Sequence, residues 1–308
     1  MRILELPAIR QSLAYADVIP LMRDAFIAQS RGDCETPMPM HLDIAGEAEV
    51  HMKSSYRRGG RYFAMKVAST FPGNLARGIP TGNGMMLLAS AATGEPVVLL
   101  ADAGHLTDVR TAAAAAMVAR ELGRNDRILG IVGTGVQARL QAQMHAAVLP
   151  LGEIWIWGRN PYRAAGCATE IKLRLPEVEV KVAPSAARVA DHCRLIVTCT
   201  ASRAPLLWPR DVHPGTHISA VGSDGPGKQE LDPAILSSAS LLLADSRRQC
   251  AKLGELQHAP GELERACEIG EFCLKPRPME RVALTVCDFT GLGVEDLYIA
   301  EYCYERST

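Results

Sequence analysis

The sequence predicts an α/β fold with two parts. From residue 126 onward, strand-like and helical segments alternate, and a Gly-rich turn, Gly133-Thr134-Gly135, follows the first of these strands. Before residue 102, several apolar strand-like runs are separated by Gly-containing turns, and no long helix lies between them. Alternating strands and helices are typical of a parallel sheet, and consecutive strands of an antiparallel one. We therefore expect a Rossmann-type parallel sheet domain plus a β-rich α+β domain.

The first part begins with a short strand at Ile3-Leu4, followed by a helix whose N-cap we expect to be Ser12. Apolar residues recur at helical spacing up to Phe26. The β-rich region then contains four predicted strands: 49–56, 62–69, 84–91 and 96–101. A long Ala-rich helix, predicted over 106–122, connects this region to the second part.

The second part reads as a series of strand–helix units. The predicted strands are 128–132, 153–157, 179–182, 195–198, 217–221 and 241–245, and the clearest helices are 138–149 and 161–175. A last helix is predicted over 291–304, and we expect it to return to the first domain because the parallel sheet is by then complete. The predicted domains are 1–112, completed by 290–308, and 113–289.

Composition narrows the range of partners. The 308 residues are 48% apolar and carry a net charge of −1 without a long basic block, so we expect neither nucleic acid nor a charged membrane surface as a partner. The nine cysteines are scattered without a C-x-x-C motif, which is typical of a reduced, cytoplasmic protein. No apolar run approaches the roughly 18 residues of a membrane span. No metal site is expected, because Pro214-Gly215 separates the closely spaced His213 and His217.

The turn after the first strand of the second part has the pattern G-x-G-x-x-A. Gly133 permits a tight turn, Gly135 allows the backbone to approach a pyrophosphate, and Ala138 replaces the third glycine where helix meets strand. The helix that follows offers free N–H groups to phosphates. We expect Thr134, Val136 and Gln137 to contact the cofactor as well; the alternative is an ordinary strand–turn–helix.

The end of the next strand bears on the choice of cofactor. NAD-preferring enzymes usually place an acid there for the ribose hydroxyls, but this chain has Arg159 and Asn160. The planar guanidinium of Arg159 suits a 2′-phosphate. We therefore expect NADP(H) to be preferred, with NAD(H) possible; the alternative is that Arg159 is an ordinary surface residue.

Candidate substrate residues are charged side chains in unusual places. Lys66 lies in an otherwise apolar strand, where a buried ammonium needs a partner, and Lys53 is a less specific case. Arg110 leads into the Ala-rich helix, with only Asp108 nearby at a spacing that points elsewhere. Asp224 follows a buried strand at the edge where α/β sheets bind ligands. The alternatives are a Lys66 at the sheet edge, an intrahelical pair for Arg110 and a simple turn residue for Asp224.

Taken together, these motifs resemble the ornithine cyclodeaminase/mu-crystallin family, and the resemblance covers essentially the whole chain. The segments that carry it are Lys66, 78–84 (GIPTGNG), 106–112 (LTDVRTA), 133–138 (GTGVQA) and 222–228 (GSDGPGK). The resemblance implies a split substrate and dimerisation domain, a Rossmann domain, and usually a homodimer. It also implies chemistry at the Cα–N bond of amino or imino acids.

The resemblance also assigns roles to residues. Lys66 and Arg110 would bind the substrate carboxylate and Asp224 would be the acid/base; Lys66 is also a catalytic candidate. The remaining implied site residues are Lys53, His41 and Thr81 for the substrate, and Thr111, Thr200 and Val221 for the cofactor.

Two departures weaken ornithine as the substrate. His41 stands where many members have Arg, and Val50 stands where the ornithine enzyme has an acid. Glu49 is one residue off, and in a strand it points to the other face.

The sequence therefore predicts an NADPH-dependent reductase of small cyclic imino acids, of the Δ1-pyrroline-2-carboxylate or Δ1-piperideine-2-carboxylate (ketimine reductase) kind. One alternative is an amino acid cyclodeaminase of the ornithine type, or an amino acid dehydrogenase. A second alternative is a non-catalytic NADPH-dependent binding protein of the mu-crystallin kind. Asp224 argues against a pure binder, because such a protein needs no acid/base there.

Overall fold

The computed structural model describes residues 1–44, 48–276, 280 and 282–307. The chain divides into two compact units, one formed by residues 1–110 with 292–308 and the other by 111–291. A mixed, mainly antiparallel sheet lies in the first unit and a parallel sheet in the second, which confirms the predicted α/β class.

The sheet of the first unit has seven strands. They are β1 (Arg2–Glu5), β2 (Cys34–Glu35), β3 (Met40–Ile44), β4 (Ala48–Arg57), β5 (Tyr62–Thr70), β6 (Gly82–Ser90) and β7 (Pro96–Ala101). Their order is β1-β7-β6-β5-β4-β2, and β3 pairs with β4 as well. All pairings are antiparallel except β1 with β7. The four predicted strands are confirmed, whereas β2 and β3 were not predicted.

Three helices follow or flank these strands: α1 (Leu6–Ser12), α2 (Tyr15–Ser30) and α3 (His105–Glu121). The predicted role of Ser12 is wrong. A proline in the first turn starts α1 early, so Ser12 is the last residue of α1 and its hydroxyl donates to the carbonyl of Ile9 at 2.8 Å. Helix α2 begins after Ala14 without a side-chain cap.

The described residues of the second unit form ten strands. They are β8 (Ile128–Val132), β9 (Glu153–Trp157), β10 (Glu179–Val182), β11 (Leu195–Thr198), β12 (Arg203–Leu207), β13 (His217–Ala220), β14 (Gln229–Leu231), β15 (Leu241–Ala244), β16 (Cys267–Glu268) and β17 (Thr285–Asp288). Eight of them form a sheet of order β10-β9-β8-β11-β13-β17-β15-β16 in which every pairing is parallel. Strands β12 and β14 form a separate pair.

All six predicted strands of the second unit are confirmed, and the sheet has two further strands, β16 and β17, which were not predicted. Strand β17 lies between β13 and β15, and all four of its residues are buried. The central strands β11, β13 and β15 are likewise buried along their whole length, as expected when helices cover both faces of a parallel sheet. The helices are α4 (Val136–Ala146), α5 (Pro161–Arg174), α6 (Ala186–His192), α7 (Pro233–Ser238), α8 (Arg247–Leu253) and α9 (Ile269–Leu274).

The last helix, α10 (Gly293–Arg306), belongs to the first unit and packs on β4, β5 and α2. Its first residue must be glycine, because a Cβ on Gly293 would lie 2.4 Å from the carbonyl oxygen of Ser54. This close approach carries Glu295 and Asp296 into the interior, where each is 1% exposed. Among the described residues, no helix is long and apolar enough to cross a membrane.

Candidate functional site

The turn between β8 and α4 has the geometry that its sequence predicts. Gly133 has φ 145°, and a Cβ there would lie 2.5 Å from the sulfur of Cys199. By contrast, apart from its two chain neighbours, no described residue has an atom within 4 Å of the position that a Cβ would take on Gly135. Open space over that backbone is what a bound pyrophosphate requires. Ala138 is fully buried, in agreement with a small residue where the helix meets the strand.

An arginine that the sequence analysis did not single out holds this turn. The guanidinium of Arg139 donates to the carbonyl oxygens of Thr134 and Gly135 at 2.9 and 3.0 Å. Its other nitrogens form a bidentate pair with Glu170 of α5, and this hydrogen bond lowers the pKa of the Glu170 carboxyl. A residue of α4, the helix that follows the turn, therefore fixes the conformation of the turn.

Arg159 and Asn160 lie between β9 and α5. Arg159 is exposed and forms no ion pair with any described residue, so its guanidinium is available to an anion. The side chain of Asn160 accepts a hydrogen bond from the backbone N–H of Arg163 at 3.1 Å and thereby caps α5. If Asn160 also binds the cofactor ribose, its side chain must do so while it accepts the hydrogen bond that caps α5.

The loops after β11 and β13 are held by Glu230, a fully buried residue that the sequence analysis missed. One carboxylate oxygen accepts from the backbone N–H and the hydroxyl of Thr200 at 2.6 and 2.7 Å. The other accepts from the Thr198 hydroxyl at 2.7 Å and the Gly222 N–H at 2.9 Å. Burial nevertheless raises the pKa of Glu230 to about 7. Glu230 thus fixes Thr200 and the backbone next to Val221, two expected cofactor residues.

Two more buried acids continue this network. Glu255 accepts from the backbone N–H groups of Glu230 and Leu231 at 2.7 and 3.2 Å. Asp288, at the end of β17, accepts from the N–H groups of Glu255 and Leu256 at 3.0 and 2.9 Å. Burial raises the pKa of Asp288 to about 7 and that of Glu255 well above its ordinary value. A chain of carboxyl groups therefore ties β14 to the last strand of the sheet.

Asp224 lies in the loop after β13, as predicted, and its side chain is 45% exposed. Its carboxylate is 2.7 Å from the ammonium of Lys228, a partner that the sequence analysis did not assign. The buried Ser223 donates to the carbonyl of Lys228 at 2.9 Å and so fixes the loop. Asp224 is accordingly both oriented by a cation and open to solvent.

Lys66 and Arg110 share a pair of acids on α10. The ammonium of Lys66 lies 3.1 and 2.9 Å from the two oxygens of Asp296. Arg110 lies 3.1 Å from Asp296 and 3.4 Å from Glu295. Because β5 is interior to the sheet and Lys66 is 2% exposed, Lys66 is not a sheet-edge residue, and the partners of Arg110 include acids outside its own helix.

Lys53 completes a buried cluster of five charged side chains. It stands directly opposite Lys66 in the β4–β5 register and is 9% exposed. Burial lowers the pKa of Lys66 to about 7, although Asp296 opposes the shift. Burial raises the pKa of Asp296, but the charges of Lys66 and Arg110 outweigh it, and the net shift is downward. With these five groups ionised, they carry one positive charge, and the buried Asp102, whose pKa burial raises, also interacts with the charge of Lys66.

His41 and Thr81 lie away from this cluster. His41 of β3 is opposite His51 of β4 in the strand register, and His51 is two positions before Lys53. Thr81 precedes β6, and its carbonyl accepts from the N–H of Phe71 at 2.7 Å. Among the described contacts, neither side chain meets Lys66 or Arg110. Thr111 follows Arg110 directly in α3.

A parallel sheet whose first turn is Gly-rich and open above Gly135 defines a Rossmann-type dinucleotide-binding protein. The model of the ornithine cyclodeaminase/mu-crystallin family matches residues 2–308, and the chain belongs to this family.

The chain is similar to an uncharacterized cyclodeaminase of Sinorhizobium fredii, with 35% identity over 301 residues, which are 94% of this chain and 91% of that protein. It is also similar to the solved archaeal alanine dehydrogenase dimer with bound NAD (28% identity, TM-score 0.91, 100% and 96% of the two chains). A third similar structure is Thermococcus litoralis Δ1-pyrroline-2-carboxylate reductase with NADH and L-proline (26% identity, TM-score 0.92, 100% and 97%). Further relatives are named Δ1-pyrroline-2-carboxylate reductase and iminosuccinate reductase.

Proposed function

We propose that the protein is an NADPH-dependent reductase of small cyclic imino acids, of the Δ1-pyrroline-2-carboxylate or Δ1-piperideine-2-carboxylate kind. The observation that carries the proposal is the buried cluster around Lys66 and Arg110, whose net positive charge suits a substrate carboxylate. The names of several relatives support the same substrate class.

The nicotinamide cofactor, when bound, supplies a hydride for the carbon of the C=N bond. The residues of the Gly133–Gln137 turn fit such a cofactor, because the space above Gly135 is open. Lys66 and Arg110 bind the carboxylate and so fix the orientation of the imine. The electron pair of the C=N bond passes to nitrogen, and Asp224 delivers the proton that completes the secondary amine. Its solvent exposure allows Asp224 to be reprotonated from water.

The cofactor preference rests on Arg159. No acid stands at the end of β9 to bind the ribose hydroxyls, and the exposed guanidinium of Arg159 pairs with no described acid. A 2′-phosphate is the anion that this position accepts best. The NAD(H) seen in similar structures remains the second choice for this chain.

The test is to mix the purified protein with NADPH and Δ1-pyrroline-2-carboxylate and to follow the loss of NADPH absorbance. Asp224→Asn should lower the rate by about 10²–10⁴-fold with unchanged NADPH affinity, because it removes the acid but not the cofactor site. Asp33→Asn, a change at an exposed position of the first unit, is the matched control. Full activity of the Asp224 variant would contradict the assignment.

The second candidate is a cyclodeaminase, which the name of one relative favours. The same residues would serve, but the reaction would begin with hydride removal from an amino acid and release ammonia. Ammonia formed from ornithine with NAD⁺, without oxidation of NADPH by the imino acid, would reverse the ranking. Tight NADPH binding with no turnover of either substrate class would instead support the non-catalytic binder.

We also propose a homodimer built on the sheet of the first unit and α10. The face of this sheet opposite Lys66 is apolar and exposed: Met40, Leu42, Met65 and Met85 are 60, 44, 42 and 45% exposed. Neighbouring exposed apolar side chains of this size usually mark an interface, and a second copy of the same face is the simplest partner. Sedimentation at micromolar concentration tests the proposal, and a 33.2 kDa species would refute it.

A further inference from the structure

Three potential metal ligands lie together on the sheet of the first unit. His41 of β3 and His51 of β4 are directly opposite each other, with ring centroids 4.7 Å apart. Glu49 lies two positions before His51 and therefore on the same face of β4. The three residues each offer a ligand atom, and these atoms all lie within 4.8 Å of one another.

The two imidazoles each have a nitrogen that the fold itself leaves unused. Among the described residues, His41 Nδ1 and His51 Nε2 are shielded from solvent and form no hydrogen bond. His51 is only 8% exposed, and its Nε2 faces Glu49 at 3.5 Å. A buried polar atom without a partner costs free energy, which a bound ion would recover.

The surroundings of His41 also match a metal ligand. While Nδ1 is unused, Nε2 lies 3.4 Å from a carboxylate oxygen of Asp43. Histidine ligands commonly direct their second nitrogen to a carboxylate, which fixes the tautomer and the ring orientation. Asp43 therefore occupies the place of an outer partner of the ion.

We propose that His41, Glu49 and His51 bind a divalent transition-metal ion of the Zn²⁺ type. Two imidazoles and one carboxylate are a donor set that Zn²⁺ accepts, whereas Mg²⁺ and Ca²⁺ require oxygen ligands. The donor atoms lie within 4.8 Å of one another, and bonds of about 2.0–2.2 Å require them to draw closer when the ion binds. The ion ties β3 to β4.

The charged side chains near the site act on a bound cation in opposite directions. Lys53 lies on the same face, two positions beyond His51, and repels a cation. Asp43 of β3 and Glu49 of β4 are paired in the strand register, and their two negative charges attract a cation. No local pattern marks this site, because His41 and His51 are ten positions apart and meet only through the strand pairing. The site does not depend on the proposed reductase activity.

The test is to remove bound metal from the purified protein with a chelator and then to measure Zn²⁺ binding by calorimetric titration. We expect one ion per chain, and an affinity at least 100-fold lower in His51→Gln and in Glu49→Gln, because each variant loses a direct ligand. Asp43→Asn should lower the affinity about tenfold, since it removes only the outer partner. His105→Gln, a histidine of α3 outside the cluster, should bind as the wild type does.

One exposed variant and one further measurement distinguish the loss of metal binding from misfolding. Asp43 is 80% exposed, so its variant folds whatever the ligand variants do. Titration with Co²⁺ should give visible bands in the wild type that are absent in the His41→Gln/His51→Gln double variant. Failure of the wild type to bind Zn²⁺, or equal binding by the double variant, would overturn the proposal; absence of reductase activity would not affect it.

Discussion

Replacing Glu230 by glutamine tests how the cofactor loops are held. The carboxylate is fully buried and accepts four hydrogen bonds, two of them from the backbone N–H groups of Thr200 and Gly222. Those two N–H groups bond to different oxygens. Glutamine has only one oxygen, so its NH₂ must face one of the two N–H donors. One buried donor therefore loses its acceptor in either orientation, at a cost of about 1–3 kcal/mol.

The pKa of Glu230 determines in which direction the stability difference between variant and wild type changes with pH. Burial raises the pKa of Glu230 from 4.5 to about 7, so between these values the folded protein keeps a proton that the unfolded chain releases. The stabilisation from this proton is complete below pH 4.5 and is lost as the pH rises through 7. Glutamine has no such proton. Near pH 5 the hydroxyl oxygen of the neutral acid can still accept from the second N–H group, which the glutamine NH₂ cannot. We therefore expect Glu230→Gln to be destabilised by about 2 kcal/mol near pH 5, and the difference from wild type to shrink as the pH approaches 8.

The assay is urea unfolding followed by tryptophan fluorescence at several pH values. The chain's three tryptophans, at 155, 157 and 208, all lie in the second unit, so the signal reports the unit that contains Glu230. Near pH 5 the expected loss corresponds to a melting temperature lower by about 4–8 °C. Glu177→Gln, at an exposed position of the same unit, is the matched control. A difference that grows with rising pH would show that the four hydrogen bonds outweigh burial, and would refute the reasoning.

Three other predictions concern the cofactor, the substrate and the assembly. Arg159→Asp should weaken NADPH binding tenfold or more and favour NADH, measured by titration with both; tighter NADH binding by the wild type would contradict the premise. Because the pKa of Lys66 is about 7, affinity for the non-titrating inhibitor pyrrole-2-carboxylate should fall about tenfold between about pH 6 and 8, and Lys66→Met should remove this dependence. Met65→Asp should dissociate the proposed dimer in sedimentation, whereas Leu173→Asp, at a side chain of α5 that is 78% exposed, should not.

Much of the second unit was predictable because its signals are local. The turn at Gly133–Gly135 is recognisable within a few residues, since strand, turn and helix follow one another directly. Strand β17 was missed although residues 282–287 (VALTVC) are mostly apolar; the strand itself has only four residues and ends at an aspartate. Only its position between β13 and β15 accounts for its burial.

The charged partners could not be predicted, because sequence distance conceals them. Lys66 was singled out as a buried lysine in need of an acid, but Asp296 lies 230 positions later in a helix with other acids. Glu230 lies in the three-residue strand β14, and its role is evident only from the four donors that converge on it. Burial of a charge is thus readable from a local pattern, whereas its neutralising partner depends on the tertiary fold.

The position of β17 and α10 has a consequence for biosynthesis. The central parallel sheet lacks an inner strand, and the first unit lacks the helix that covers its charged face, until residues 285–306 have been made. Neither unit can therefore reach its final structure while the ribosome still holds the last segment. Until then one edge of β13 and one edge of β15 are unpaired, and unpaired strand edges favour aggregation of an incompletely folded chain. Loss of about twenty-five C-terminal residues would leave both units unfinished, although it removes less than a tenth of the chain.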